Sequence, residues 1–121
     1  MEAQNYLSPV PYHGLPSCPF HYCAPLRAPS PLEFDIPVPP PRTRDKYSSL
    51  VWNASILLAD KIVSEEIEVR GKRVLELGCG LGLPGITAAR KGALKVVLSD
   101  YDDPAALADT SYAVDNALPS S

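Results

Sequence analysis

From residue 49 onward the chain changes hydrophobic period four times, and each change marks a new element. Leu50, Val51, Ala54, Leu57, Leu58 and Ile62 recur at helical spacing, and Trp52, Ile56, Ala59 and Val63 widen the apolar face. The pattern predicts a helix over residues 49–64, with Ser48 or Ser49 as its cap. A helix this apolar needs cover on most sides. After Glu65-Glu66 and a Gly71-Lys72 turn, Val74, Leu75 and Leu77 form a short apolar run that stops at Gly78, Gly80 and Gly82. Such a run, ended by glycine, reads as a buried strand. Residues 83–91 return to the helical period, with Pro84 acceptable in a first turn and Gly92 closing the helix. Residues 95–100 predict a second strand. Asp103-Pro104 then opens a third helix over 104–118, stopped at Pro119. A strand, a helix and a strand at these lengths make a right-handed parallel crossover, the start of a doubly wound α/β fold.

Composition divides the chain in two. Of its 14 prolines, 11 fall within residues 1–41. The run Ile36-Pro37-Val38-Pro39-Pro40-Pro41 favours polyproline II, because proline fixes φ and cannot donate to a ladder. Residues 1–43 are therefore expected to be a disordered or extended Pro-rich leader, and residues 44–121 a folded domain.

Charge and cysteine usage narrow the function classes. With 11 Lys+Arg against 14 Asp+Glu the net charge is −3, which argues against charge-driven nucleic-acid binding. Apolar stretches are far shorter than the ~18 residues of a membrane helix, and residues 1–10 lack the basic and apolar regions of a secretory signal. Three cysteines, Cys18, Cys23 and Cys79, follow no disulfide framework, so a reducing compartment, cytosol or nucleus, is expected, with a cytoplasmic location preferred. His13, Cys18, His21 and Cys23 match no standard zinc spacing and have Pro16 and Pro19 between them, so no metal site is expected.

The most informative segment is Val74-Leu75-Glu76-Leu77-Gly78-Cys79-Gly80-Leu81-Gly82. Glycines let the backbone turn sharply from strand to helix and let a ligand come close. The following helix offers free N–H groups there. Asp100 ends the next strand, 22 residues after Gly78. In a parallel sheet, ligands lie outside the carboxyl ends of the strands, so this acid can accept hydrogen bonds from ribose hydroxyls. Gly80-Leu81-Gly82-Leu83-Pro84-Gly85 matches the dinucleotide fingerprint literally, which keeps an NAD-binding fragment as an alternative. Two features oppose it. Gly80 comes after the strand has ended, and a pyrophosphate would meet Glu76, Asp100, Asp102 and Asp103 with no nearby Lys or Arg. S-adenosylmethionine has no phosphate, and its cationic sulfonium and ammonium groups suit an acidic rim.

These residues also carry a resemblance. Glu76 to Gly82 is similar to the first motif of the seven-strand S-adenosylmethionine-dependent methyltransferases. More narrowly, Leu50-Val51-Trp52-Asn53-Ala54, Val74-Leu75-Glu76-Leu77-Gly78, Leu83-Pro84-Gly85 and Ser99-Asp100-Tyr101-Asp102-Asp103-Pro104 resemble the fungal nicotinamide N-methyltransferase-like proteins. Those belong with the lysine methyltransferases that modify elongation factors and other proteins. The resemblance covers residues 46–118 and implies a Rossmann-like fold with S-adenosyl-L-methionine as cofactor. It makes Trp52 a wall of the cofactor pocket, Gly78, Cys79 and Gly80 the loop that wraps the methionine and ribose part by backbone contact, and Asp100 the ribose acceptor. It assigns no catalytic residue in this chain. Cys79 contributes its backbone only, since no histidine follows His21 to serve as its base. The implied activity is N-methylation of a protein lysine, a protein N-terminus or a small amine such as nicotinamide, with a protein substrate, a translation elongation factor among the candidates, or a small-molecule amine as partner. The seven-strand fold continues beyond the two strands predicted here. The expectation is therefore an N-terminal, truncated part of that fold that is inactive alone; the alternative is a non-catalytic remnant that at most binds a cofactor or a partner.

Overall fold

A computed structural model describes residues 19–38 and 51–118. In chain order the elements are β1 (Phe20–Cys23), β2 (Glu33–Ile36), α1 (Asn53–Val63), β3 (Arg73–Leu77), α2 (Leu83–Arg90), β4 (Lys95–Ser99) and α3 (Pro104–Ala117). The β3–α2–β4 unit is the parallel crossover expected from the pattern, with Arg73 beside Lys95 and Leu77 beside Ser99. Together with α3 it gives the small α/β architecture that the hydrophobic periods predict.

Strand alternation sets which side is covered. Val74, Glu76, Val96 and Leu98 are partly buried, and α2 packs on both strands. The next residues along each strand face the other way, and among the described residues little covers them. Leu75 is 61% and Leu77 75% exposed. The expectation of a buried strand thus holds for one face only.

Helix α2 sits close to the sheet because Gly85 lets it. A Cβ there would lie 2.2 Å from Leu98 Cδ2 and 2.9 Å from Glu76 Oε1. Every residue from Leu83 to Ala88 is buried, with α1 as the other neighbour.

Helix α1 begins later than its apolar period suggests. Trp52 is its N-cap in an extended conformation (φ −99°, ψ 148°), and its carbonyl accepts the Ser55 N–H at 2.9 Å. Val51 is buried by this extended entry, so its hydrophobicity serves the core without a helical turn. The serines expected as caps, Ser48 and Ser49, lie outside the described residues.

The expectation of a disordered leader fails for residues 19–38. β1 and β2 pair antiparallel, with Phe20 opposite Ile36 and Cys23 opposite Glu33. Tyr22, Phe34 and Ile36 are buried in one core with Val51, Ala59, Val63, Leu81, Leu83, Ile86, Ala113 and Ala117. The prolines do not prevent this because they avoid the strands. Pro25, Pro29 and Pro31 lie in the connection, and Pro19 and Pro37 flank the pair. Two contacts pin the ladder to the helices. The Tyr22 hydroxyl donates to Asp60 Oδ1 on α1 at 2.8 Å. The Arg90 guanidinium lies over the Phe34 ring, 5.1 Å from its centroid. From α2, Arg90 also donates through Nε (3.2 Å) and Nη2 (2.6 Å) to the Ala117 carbonyl at the end of α3.

The outer face of the ladder is polar. The two ring nitrogens of His21 face Asp35 Oδ1 at 2.6 Å and Glu33 Oε2 at 2.9 Å. Only the imidazolium can donate on both sides, and these hydrogen bonds, Asp35's first, raise its pKa above the ordinary 6.5. Among the described residues no cluster is suited to a metal ion. His13 and Cys18 fall outside them. No described helix is long and apolar enough to cross a membrane.

Candidate functional site

The site lies where β3 and β4 end side by side. After Leu77 the chain turns through Gly78, Cys79, Gly80 and Leu81 into α2. The turn is closed by backbone hydrogen bonds: the Cys79 N–H donates to the Ser99 carbonyl at 2.9 Å, and the Gly82 N–H to the Cys79 carbonyl at 2.8 Å. Gly82 caps α2 in the left-handed region (φ 83°), and a Cβ there would meet Leu98 Cδ1 at 2.9 Å. Both facts favour glycine at this position.

Two carboxylates fasten the turn from either side. Asp100, directly after β4, accepts the Gly80 N–H on Oδ2 and the Tyr101 N–H on Oδ1, each at 2.8 Å. Glu76, on β3, accepts the Gly85 N–H on Oε1 at 2.9 Å. Gly82 has no side chain with which to cap α2, so the strand carboxylate takes that part. Glu76 has its pKa raised to about 7 by burial, with the negative charge of Asp100 adding to the effect and the Gly85 hydrogen bond opposing it. Among the described residues neither acid is in an ion pair.

Cys79 is buried. Burial first, then the charge of Glu76, pushes its thiol up to about 11. A thiol so protonated at neutral pH is no nucleophile. The Sγ instead lies 3.6 Å from the Gly80 carbonyl.

The structure thus brings Gly78, Cys79, Gly80 and Asp100 together at one strand end. Trp52 stands at the N-terminus of α1, half-buried, next to Val51, which shares a core with Leu81 and Leu83. Two participants escape a reading of the sequence. Glu76 is visible as part of the motif, but its bond to the first turn of α2 is not. Thr110 of α3 gives no signal beyond being a polar residue in an alanine-rich helix, yet its hydroxyl reaches the Gly80 carbonyl. A glycine turn beside two carboxylates outside any ion pair suits a cationic, hydroxyl-bearing ligand better than a phosphate.

Comparison with known proteins agrees with this chemistry. The profile of the lysine methyltransferase family matches residues 41–121. The chain belongs to the lysine methyltransferase family. It is 44% identical over 68 residues to the protein N-terminal and lysine N-methyltransferase efm7 of Schizosaccharomyces pombe, covering 56% of this chain and 27% of that protein. It is 48% identical over 54 residues to the protein of the same name in Gibberella zeae, covering 45% and 20%. A histidine protein methyltransferase 1 homolog of Dictyostelium discoideum is 42% identical over 53 residues, covering 44% and 17%. The chain therefore spans about a quarter or less of these relatives' lengths. Membership in a methyltransferase family displaces the dinucleotide alternative. The strand ends at Leu77, so Gly80 does not open from it as that fingerprint requires.

Proposed function

We propose that this chain forms the cofactor-binding portion of an S-adenosylmethionine-dependent protein N-methyltransferase. The observation that carries this reading is the pair of carboxylates, Glu76 and Asp100, placed around a glycine turn at the carboxyl ends of two parallel strands. The residues present fit the cofactor. A Cβ on Gly78 would meet nothing within 4 Å, so the outer side of the turn is open to a ligand. Asp100 uses one lone pair on each oxygen for a backbone N–H and keeps acceptor capacity on both. In this reading the backbone of Gly78, Cys79 and Gly80 holds the methionine and ribose part, Asp100 accepts from the ribose hydroxyls, and Trp52 walls the pocket. The bound cofactor supplies an electrophilic methyl group on a sulfonium. The described residues bind and orient, and the acidic site favours that cation.

The proposed acceptor is a protein amine, an N-terminus or a lysine, as the names of the fungal relatives state for those proteins. An elongation factor in the cytoplasm is the narrower proposal. The Dictyostelium relative is named for histidine methylation and matches over 53 residues. The matched portion is then common to proteins named for different acceptors, which fits a role in holding the methyl donor.

Calorimetric titration of the 121-residue chain with S-adenosylhomocysteine and, separately, with NAD tests the proposal. Binding of the first and not the second supports it. Binding of NAD alone, or of neither, overturns it.

A further inference from the structure

The turn is gripped at one residue by two different elements. Gly80 has its N–H fixed by Asp100, beyond β4, and its carbonyl fixed by the hydroxyl of Thr110, on α3. The two peptide planes that flank Gly80 are thus held by different elements and coupled through this one residue, so freeing either plane loosens the other. Its φ of 54° is set by both partners together.

Besides the Gly80 carbonyl, the hydroxyl proton of Thr110 has two acceptors within reach: the Cys79 sulfur, a weak acceptor, and the Ala106 carbonyl at 3.1 Å. That carbonyl already accepts an N–H within the helix, four residues on. The Gly80 carbonyl otherwise has the weak thiol of Cys79, at 3.6 Å, as a donor. The proton therefore satisfies more when it points at Gly80. Thr110 is 6% exposed and Asp109 beside it 8%, in a helix whose other buried positions are alanines. A buried hydroxyl at this spot is not needed for packing, since valine has the same shape.

We propose that Thr110 is a positioning residue of the cofactor site. Its hydroxyl holds the Gly80–Leu81 peptide, so α3 as well as β4 sets the backbone that faces the ligand. The inference deepens the reading under Proposed function and rests on it for its second arm only.

The test uses the full 121-residue chain as wild type, Thr110→Val, Thr110→Ala and Thr110→Ser. The first readout is hydrogen exchange of the Gly80 amide, without ligand. Loss of one neutral hydrogen bond should speed its exchange about fivefold in the valine and alanine variants, and serine should restore it. The second is affinity for S-adenosylhomocysteine, expected to fall about fivefold in Thr110→Val and to return in Thr110→Ser, with the thermal midpoint of Thr110→Val near that of wild type. Wild-type exchange at Gly80 in both hydroxyl-free variants overturns the inference. A drop in thermal midpoint with unchanged Gly80 exchange does the same, as does failure of both variants to fold, since each would make the residue structural. If wild type binds no S-adenosylhomocysteine, the proposed function fails, and Gly80 exchange alone decides the role of Thr110.

Discussion

Replacing Phe34 with alanine tests whether the Pro-rich segment is part of the folded body. Phe34 is 6% exposed, its ring centroid lies 5.4 Å from that of Tyr22, and Arg90 covers it at 5.1 Å. Removing the ring takes apolar surface out of the core and leaves a cavity bordered by the ladder and α3, a change that costs about 3–5 kcal/mol. The cation–π contact is part of that figure and is worth about 0.5–1 kcal/mol on its own at a partly exposed site. Small domains have about 5–15 kcal/mol in total, so the variant should lose a large fraction of its stability. Urea denaturation followed by far-UV circular dichroism reads this directly. With a slope of about 1–2 kcal/mol per molar urea, the midpoint should fall by about 2 M or more, or the chain should be unfolded without urea. Deleting residues 1–38 should have at least as large an effect, because it removes Tyr22 and Ile36 as well. A midpoint within about 0.3 M of wild type in both variants would refute the reasoning and return the segment to a dispensable leader.

Two other substitutions follow from the same packing. The Glu76 carboxyl has its pKa raised from 4.5 to about 7, so between those values the folded state binds more protons than the unfolded one and stability falls as pH rises. Thermal midpoints of wild type should decline across that window, while Glu76→Gln, which keeps an acceptor for the Gly85 N–H, should decline less and only from about pH 6.5 upward, where His21 with its raised pKa contributes. Gly85→Ala places a methyl group 2.2 Å from Leu98 Cδ2 and 3.3 Å from Val96 Cγ1, and overpacking of this kind costs about 1–3 kcal/mol. A lowered thermal midpoint is expected; an unchanged one would mean that α2 lifts off the sheet at no cost.

What could be read from the sequence depended on how local the signal was. The β3–α2–β4 unit and α3 are marked by glycines, Pro104 and a change of period within a few residues, and their ends agree with the pattern to within about a residue. β1 and β2 have four residues each and acquire meaning only from each other and from the helices beneath them. Surrounding prolines hid the alternation of Phe34 and Ile36 inward with Glu33 and Asp35 outward. Trp52 reads as helical because its neighbours have helical spacing, but the chain enters α1 extended, and no short-range signal distinguishes the two. At the candidate site, Asp100 and the glycine turn were legible because strand ends in parallel sheets converge. Thr110 was not, since its partner Gly80 lies 30 residues away and only the return of α3 brings them together.

The central claim is that the turn after β3 and the acid after β4 together hold the methyl donor. Backbone amide spectra of the isotope-labelled chain, recorded as S-adenosylhomocysteine is added, test it most directly. The account predicts saturable shifts at Gly78, Cys79, Gly80 and Tyr101 and at the Trp52 indole, with weaker or no binding in Asp100→Ala, whose lost charged hydrogen bond is worth about 1.5–3 kcal/mol. Shifts elsewhere on the chain, or Asp100→Ala binding as tightly as wild type, would contradict it.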